Sequence, residues 1–317
     1  MLKVKLKPAL RFSFAAILLS FYSNVTTAAE KVRVGVITKT YWPTVIVNYG
    51  IDNKIFSDAG IDPEVTVYRS GGDAFQAMAA GAADIIMGGP ASTATGRDKG
   101  IDSKMVGGGG SGIAGWFLVV PKDSTIKSVS DLQGKKVGIT SAGSSSDILS
   151  RWVGENNHIK FTRVPLGGAG LVPNLESGNV DAALFYAPIS YQMISSGKVR
   201  PIIDFSKMLP PVLGDLWVSP DSYISNNSKE LQSTINAIYK SVKEFQSDKN
   251  AVSIIASNDG VSQEVAKQEF DEIYKPLITD GSIDIEKMTR WLDMAKKGGM
   301  NSVAPVESIY TSSFQIK

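Results

Sequence analysis

The chain has 317 residues, 43% hydrophobic and 20% charged, a composition that excludes disorder, collagen and coiled coil and leaves room for about two packed domains. It has no cysteine and a single histidine, His158. Disulfides, thiolate zinc or iron–sulfur sites, a cysteine nucleophile, a lipoprotein anchor and a multi-histidine metal site are therefore excluded, and a Ser-His-Asp triad would have to use His158. The 33 basic and 31 acidic residues give a net charge of +2, and no basic cluster interleaved with aromatics marks a nucleic-acid surface.

The chain opens with a basic start, Lys3, Lys5, Lys7 and Arg11, then an apolar run of 11 residues from Phe12 to Tyr22, then small and polar residues to Ala29. A membrane span needs about 20 apolar residues. The pattern predicts a secretory signal peptide over residues 1–29, cleaved near Ala29/Glu30. Removing its four basic residues leaves 29 basic against 31 acidic, a net charge of −2. No later stretch is long and apolar enough to span, so the remainder is expected to be soluble.

Val32 to Ile37 reads as a strand. Pro43 opens a helix that carries Val45, Ile46, Tyr49 and Ile55 and stops near Gly60. Glu64 to Arg69 is a strand, Ser70 to Asp73 caps a helix through Ala80 with Gly81 as its stop, and Asp84 to Met87 is a strand. This alternation predicts a parallel sheet with right-handed crossovers. The order returns about 100 residues later: strand Lys136 to Thr140, helix from Ser144 through Trp152, strand Phe161 to Pro165, helix after Gly167-Gly168, strand Val180 to Phe185. Two similar α/β lobes follow. After Trp217 to Pro220 the pattern becomes helical: one helix capped at Asn227-Ser228, another opened by Val261-Ser262, a last from Ile283 to Lys297. These are expected to pack on the first lobe, reached by a second crossing near residue 215, and two crossings make a hinge. The expected division is lobe 1 from 30–118 plus 215–317 and lobe 2 from 119–214.

Ligands of open parallel sheets bind beyond the carboxyl ends of the strands. The loops there are small, hydroxyl-rich and glycine-rich. Ser141 to Ser145 joins a strand to a helix start, where free N–H groups and the positive dipole end suit an oxyanion; an ordinary serine cap is the other reading. Ser70 to Asp73 has the same two readings. Tyr41 and Trp42 are either one wall of a pocket or a staple for the following helix. Trp217 reads as core, and His158 as a surface turn. Arg69 and Arg97 are either partners of an anion or surface arginines. No Walker sequence, dinucleotide fingerprint or hydrolase elbow occurs.

Four segments in order behind such a leader, Ile55 to Val65, Ser70 to Asp84, Ser130 to Gly138 and Leu175 to Ala182, resemble the periplasmic solute-binding proteins of ABC transporters for nitrate, taurine, aliphatic sulfonates and thiamine-pyrimidine precursors. The resemblance runs over roughly residues 31–295. It implies a type II periplasmic-binding fold, two α/β lobes joined by a two-strand hinge. It implies a binding protein in the periplasm rather than an enzyme, without catalytic residue, cofactor or metal; a secreted lyase-like enzyme of the same fold and a ligand-sensing protein that docks on a receptor ectodomain are the other readings. It implies a small ligand, sulfonate, carboxylate or pyrimidine-like, enclosed between the lobes, and an ABC permease as partner. The ligand loops of that family fall on Tyr41 and Trp42, on Ser70 and Gly71, and on Gly89, Pro90 and Ser92. They also fall on Ser111, on Ser141, Gly143, Ser144 and Ser145, and on Tyr186 and Pro188. The pyrimidine-synthase and bilane-synthase enzymes of similar fold need cysteines that this chain lacks.

Overall fold

The structure, a computed structural model, describes Leu2 and residues 29–110, 112–300 and 304–316. The predicted signal peptide, apart from Leu2 and Ala29, and the candidate Ser111 lie outside the described residues. No described helix is long and apolar enough to cross a membrane.

β1, Glu30–Ile37, is the first strand. The single helix predicted after it is broken into α1, Trp42–Asp52, and α2, Ile55–Asp58. Lys54 between them has φ 62, and a left-handed residue cannot continue a right-handed helix. β2, Ile61–Tyr68, pairs in parallel with β1 and forms the sheet edge, where Pro63 is tolerated. α3, Gly71–Ala79, starts as predicted: Ser70 Oγ accepts from the Asp73 N–H at 3.1 Å. β3, Ile85–Gly88, α4, Pro90–Arg97, and β4, Ser103–Gly108, complete this part. β4 ends in glycines that read as a loop in the sequence. They lie in a strand because the neighbours leave no room for a side chain: a Cβ on Gly107 would be 2.3 Å from the Tyr239 hydroxyl, and one on Gly108 2.2 Å from the Ser282 carbonyl oxygen.

β5, Phe117–Pro121, already belongs to a second sheet. There follow β6, Lys136–Ile139, α5, Ser145–Asn156, β7, Thr162–Pro165, and α6, Leu171–Glu176. β8, Ala182–Phe185, α7, Ile189–Ser195, β9, Val199–Asp204, and α8, Phe205–Met208, come next. β10, Leu216–Pro220, returns to the first sheet. The strand orders are β2-β1-β3-β10-β4 and β7-β6-β8-β5-β9. They are the same order, with β10 and β5 in equivalent places, so the sequence echo is a true structural repeat. Neither sheet is purely parallel as predicted. β10 runs antiparallel to β3 and β4, and β5 to β8 and β9, because each is the strand that enters its sheet from the other one. The two crossings lie side by side: the Gly109 N–H donates to Asp215 O at 3.0 Å and the Gly112 N–H to Val212 O at 2.9 Å.

The rest is helical: α9, Asp221–Asn226, α10, Ser228–Ser247, α11, Ala251–Asp259, and α12, Gln263–Glu269, which runs into a π-helical turn, Phe270–Tyr274, and finally α13, Ile285–Lys297. The predicted stripe of α10, Leu231, Ile235, Ile238, Val242 and Phe245, is buried and packs on α1 and α2. α12 and α13 do more than pack on the first lobe, as predicted. α12 touches α7, and α13 touches both α4 and α5, so the last helices bridge the two sheets.

Candidate functional site

The loops at the carboxyl ends of the strands of both sheets face one another around a cavity of about 570 Å³, its open mouth included. Thr38 and Tyr41 follow β1, Ser70 and Gly71 follow β2, and Gly89 and Ser92 follow β3. Thr140, Gly143, Ser144 and Ser145 follow β6 across the cleft, and Tyr186 follows β8. Trp116 and Asp215 come from the two crossings, and Trp291 from α13.

Three helices, α3, α4 and α5, begin at this cavity. Their first N–H groups have no partner within the helix, and their dipoles carry a positive end there. The serine-cap reading is correct for Ser70 and Ser144. Ser144 Oγ accepts from the Asp147 N–H, donates to Ser141 O at 2.7 Å, and lies 2.8 Å from Ser146 Oγ and 2.9 Å from Thr140 Oγ1. Its hydroxyl is thus occupied by the loop. Asp147 fixes that loop further: it accepts from the Gly143 N–H at 3.0 Å and pairs with Arg151 and Arg163.

Other hydroxyls at the cleft are less fully occupied. Thr38 Oγ1, Tyr186 Oη and Ser141 Oγ are buried without a close hydrogen bond, and the nearest polar neighbour of the Tyr186 hydroxyl is the Thr38 side chain. Thr38 and Tyr186 line the cavity. Burial pushes the Tyr186 hydroxyl up to about 12, so it keeps its proton and is a donor. Asp215 accepts a hydrogen bond from the Tyr41 hydroxyl. Burial pushes its carboxyl up to about 6, although the Tyr41 and Trp42 side chains pull the other way. Tyr186 stacks edge-on to Tyr41 and tilted against Trp116, with ring centroids 5.4 Å apart in both pairs.

Nine of the candidate residues therefore surround one cavity: Tyr41, Ser70, Gly71, Gly89, Ser92, Gly143, Ser144, Ser145 and Tyr186. The others lie apart from it. Pro90 is buried at the first turn of α4. Trp42 is 3% exposed and faces an adjoining compartment. Ser141 sits behind the cavity against Gly72, and Pro188 lines a groove at the mouth. Arg69 is at the rim with its side chain 84% exposed and paired with Asp73. Arg97 pairs with Asp102 and Asp221 instead. Sequence reasoning missed Trp116, Thr140, Asp215 and Trp291. A lone acid beside the apolar run Leu216 to Val218 is the one local signal for Asp215; Trp116 and Trp291 carry none.

A pair of buried acids lies behind the cleft. Glu269 is 0% exposed, and its carboxyl hydrogen-bonds that of Asp259, with no other partner on either Glu269 oxygen. Burial and mutual repulsion push Glu269 well up, and burial pushes Asp259 up to about 6. Acids raised in the folded state bind more protons than in the unfolded chain, so the pair lowers stability as pH rises through the raised values. Glu269→Gln should therefore raise the melting midpoint at about pH 8 and change it little at about pH 4, where both states are protonated. Thermal melts of the two proteins across pH check this.

The family model described as NMT1/THI5 like matches residues 49–251. A curated relative from Brucella abortus, named "Putative binding protein", is 29% identical over 185 residues, 56% of this chain and 55% of its own; the chain thus spans about half the length of the curated relatives it matches. The alkanesulfonate-binding protein SsuA from Xanthomonas axonopodis pv. citri, solved bound to MOPS, superposes with a TM-score of 0.77 at 16% identity, over 89% of this chain and 98% of that one. The desulfurization enzyme DszB superposes with a TM-score of 0.61 at 13% identity, over 90% of this chain and 97% of that one. These likenesses show the periplasmic-binding-protein fold, which carriers and enzymes share.

Proposed function

The chain belongs to the NMT1/THI5 like family, and from that premise we propose that it is a periplasmic solute-binding protein. It is exported by its leader, captures a small organic anion between its lobes and delivers it to an ABC permease. The lobes are 30–118 plus 215–317 and 119–214, and the ligand is an organic sulfonate or carboxylate. One observation carries this reading: three helix starts and the buried hydroxyls of Thr38 and Tyr186 converge on a cavity between two sheets. The helix ends supply N–H groups and positive potential for an oxyanion. Trp116, Tyr186 and Trp291 supply apolar walls for its body. The alkanesulfonate named for the Xanthomonas relative is of this class.

Capture proceeds by closure. The open cleft binds the anion on the helix ends of one lobe. Closure brings the donors of the other lobe and expels water. A ligand favours the closed form only by its differential affinity for it. The walls hold no histidine or cysteine, and the ligand is returned unchanged.

The test is a thermal-shift panel of alkanesulfonates, taurine, aromatic carboxylates and hydroxymethylpyrimidines on protein unfolded, dialysed and refolded. A ligand at about 100 times its Kd should stabilise by about 2.7 kcal/mol. Response to a pyrimidine alone would replace the anion by a heteroaromatic, and turnover of a hit would make the protein an enzyme. Ser145→Asp gives a sharper expectation. Position 145 is the first residue of α5, where an acid favours the helix, yet its charge would face the anion. Affinity should fall about tenfold or more with the fold intact, as calorimetry would read.

A further inference from the structure

Away from the cavity, α7 and α12 bring the helices of the two sheets together. α7 follows β8 of the second sheet. α12 and its π-helical turn are anchored to the first. Phe245 of α10 packs its ring against those of Phe270 and Tyr274, and Gln246 Nε2 donates to the carbonyls of Tyr274, Lys275 and Leu277; α10 in turn packs on α1 and α2. Between α7 and α12, Ala187, Tyr191 and Val265 form a small buried apolar cluster, apart from the main core. A satellite cluster of this kind belongs to a contact between two packed units rather than to the interior of one.

One strong hydrogen bond crosses this contact. The Tyr191 hydroxyl donates to Glu272 Oε2 at 2.5 Å. Tyr191 is 3% exposed, and burial and the Glu272 carboxylate push its hydroxyl up, so it remains a donor. The other Glu272 oxygen accepts from Gln268 Nε2 at 3.0 Å, which steadies the carboxylate. Neither Tyr191 nor Glu272 lines the anion cavity. The contact stands on the cleft side of the crossings. Ser190 Oγ donates to Gly115 O at 2.6 Å and ties the start of α7 to the first crossing. Ile189 and Gln192 of the same helix line the groove at the mouth together with Asp259, the last residue of α11. Rotation about the crossings that opens the mouth therefore parts α7 from α12.

We propose that Tyr191 and Glu272 are positioning residues whose hydrogen bond clasps the closed form and so sets affinity from outside the cavity. The inference rests on the reading that capture proceeds by closure. Observed affinity is the intrinsic affinity scaled by the fraction of chains able to close. A clasp that favours closure without touching the ligand raises affinity for every ligand by one factor and leaves the preference among ligands unchanged.

The test pairs calorimetry of the refolded full chain, with MOPS and with hexanesulfonate, with small-angle scattering of the unliganded protein. Tyr191→Phe and Glu272→Ala should each weaken both sulfonates by the same factor, about tenfold. The double variant should lose no more than the weaker single one, because both remove one bond. A chain that is already mostly closed without ligand shows the clasp instead as a larger radius of gyration in both variants. Expanded variants of a protein that binds neither sulfonate would keep the clasp and remove the ligand class, which separates the two readings. Affinities and radii equal to wild type, or no binding with equal radii, would overturn the proposal. So would a factor that differs between the two sulfonates, which would put these side chains at the ligand, or additive losses in the double variant.

Discussion

Gly72→Ala should weaken ligand binding by about 10- to 100-fold while the unliganded protein melts no lower than the wild type. Gly72 lies in the first turn of α3, on the first side of the cleft. A Cβ built there would be 2.6 Å from Ser141 Oγ and 3.0 Å from the Ala142 carbonyl oxygen, both on the opposite side. Inserting a methyl group into such a contact costs about 1–3 kcal/mol, and all of that cost falls on the closed form. In the open form the methyl group meets solvent, and alanine is a better helix residue than glycine. Gly168→Ala is a companion. Its Cβ would be 2.5 Å from Thr38 Cγ2 across the cleft, and also 2.3 Å from the Tyr186 hydroxyl on its own side. Gly168 also donates its N–H to Arg69 O across the cleft at 3.1 Å. Calorimetric affinities beside unliganded melts read the result. A Gly72→Ala protein with full affinity would show that the ligand is held without this closure.

Trp217→Ala should lower stability by about 3–5 kcal/mol and the melting midpoint by roughly 10 °C. Trp217 is 0% exposed in the middle of β10, opposite Met87 of β3 and Gly107 of β4. β10 joins those strands, and it is also the strand by which the chain returns from the second sheet. The cavity left by the indole cannot collapse, because strands hydrogen-bond it on both sides. Melts without ligand isolate this effect. A loss below about 1 kcal/mol would show that the site relaxes and that β10 is not the support described here.

Much of the fold was legible because its signals are local. Ser70 and Gly81 bracket α3, Ser144 caps α5, and the spacing of Leu231 to Phe245 marks the buried face of α10. The cavity walls were legible for the same reason: loops at strand ends form sites wherever strands run parallel. What escaped depends on distant neighbours. Gly107 and Gly108 read as loop because Tyr239 and Ser282, which require glycine there, come more than a hundred residues later. The antiparallel strands β5 and β10 are set by the crossings, which no local period encodes. Asp215 and Trp291 reach the cavity from a crossing and from the last long helix. Trp42 is an aromatic in a polar loop, as a pocket wall would be, yet it faces the adjoining compartment. The break between α1 and α2 rests on one residue, Lys54, whose left-handed backbone no composition signal announces.

The most direct measurement is a calorimetric titration of organic sulfonates and carboxylates into refolded wild-type protein, with Ser145→Asp in parallel. Wild type should bind one ligand per chain, and the variant should lose affinity by about tenfold or more. Binding that is equal in both proteins, or no heat from any organic anion, would contradict it.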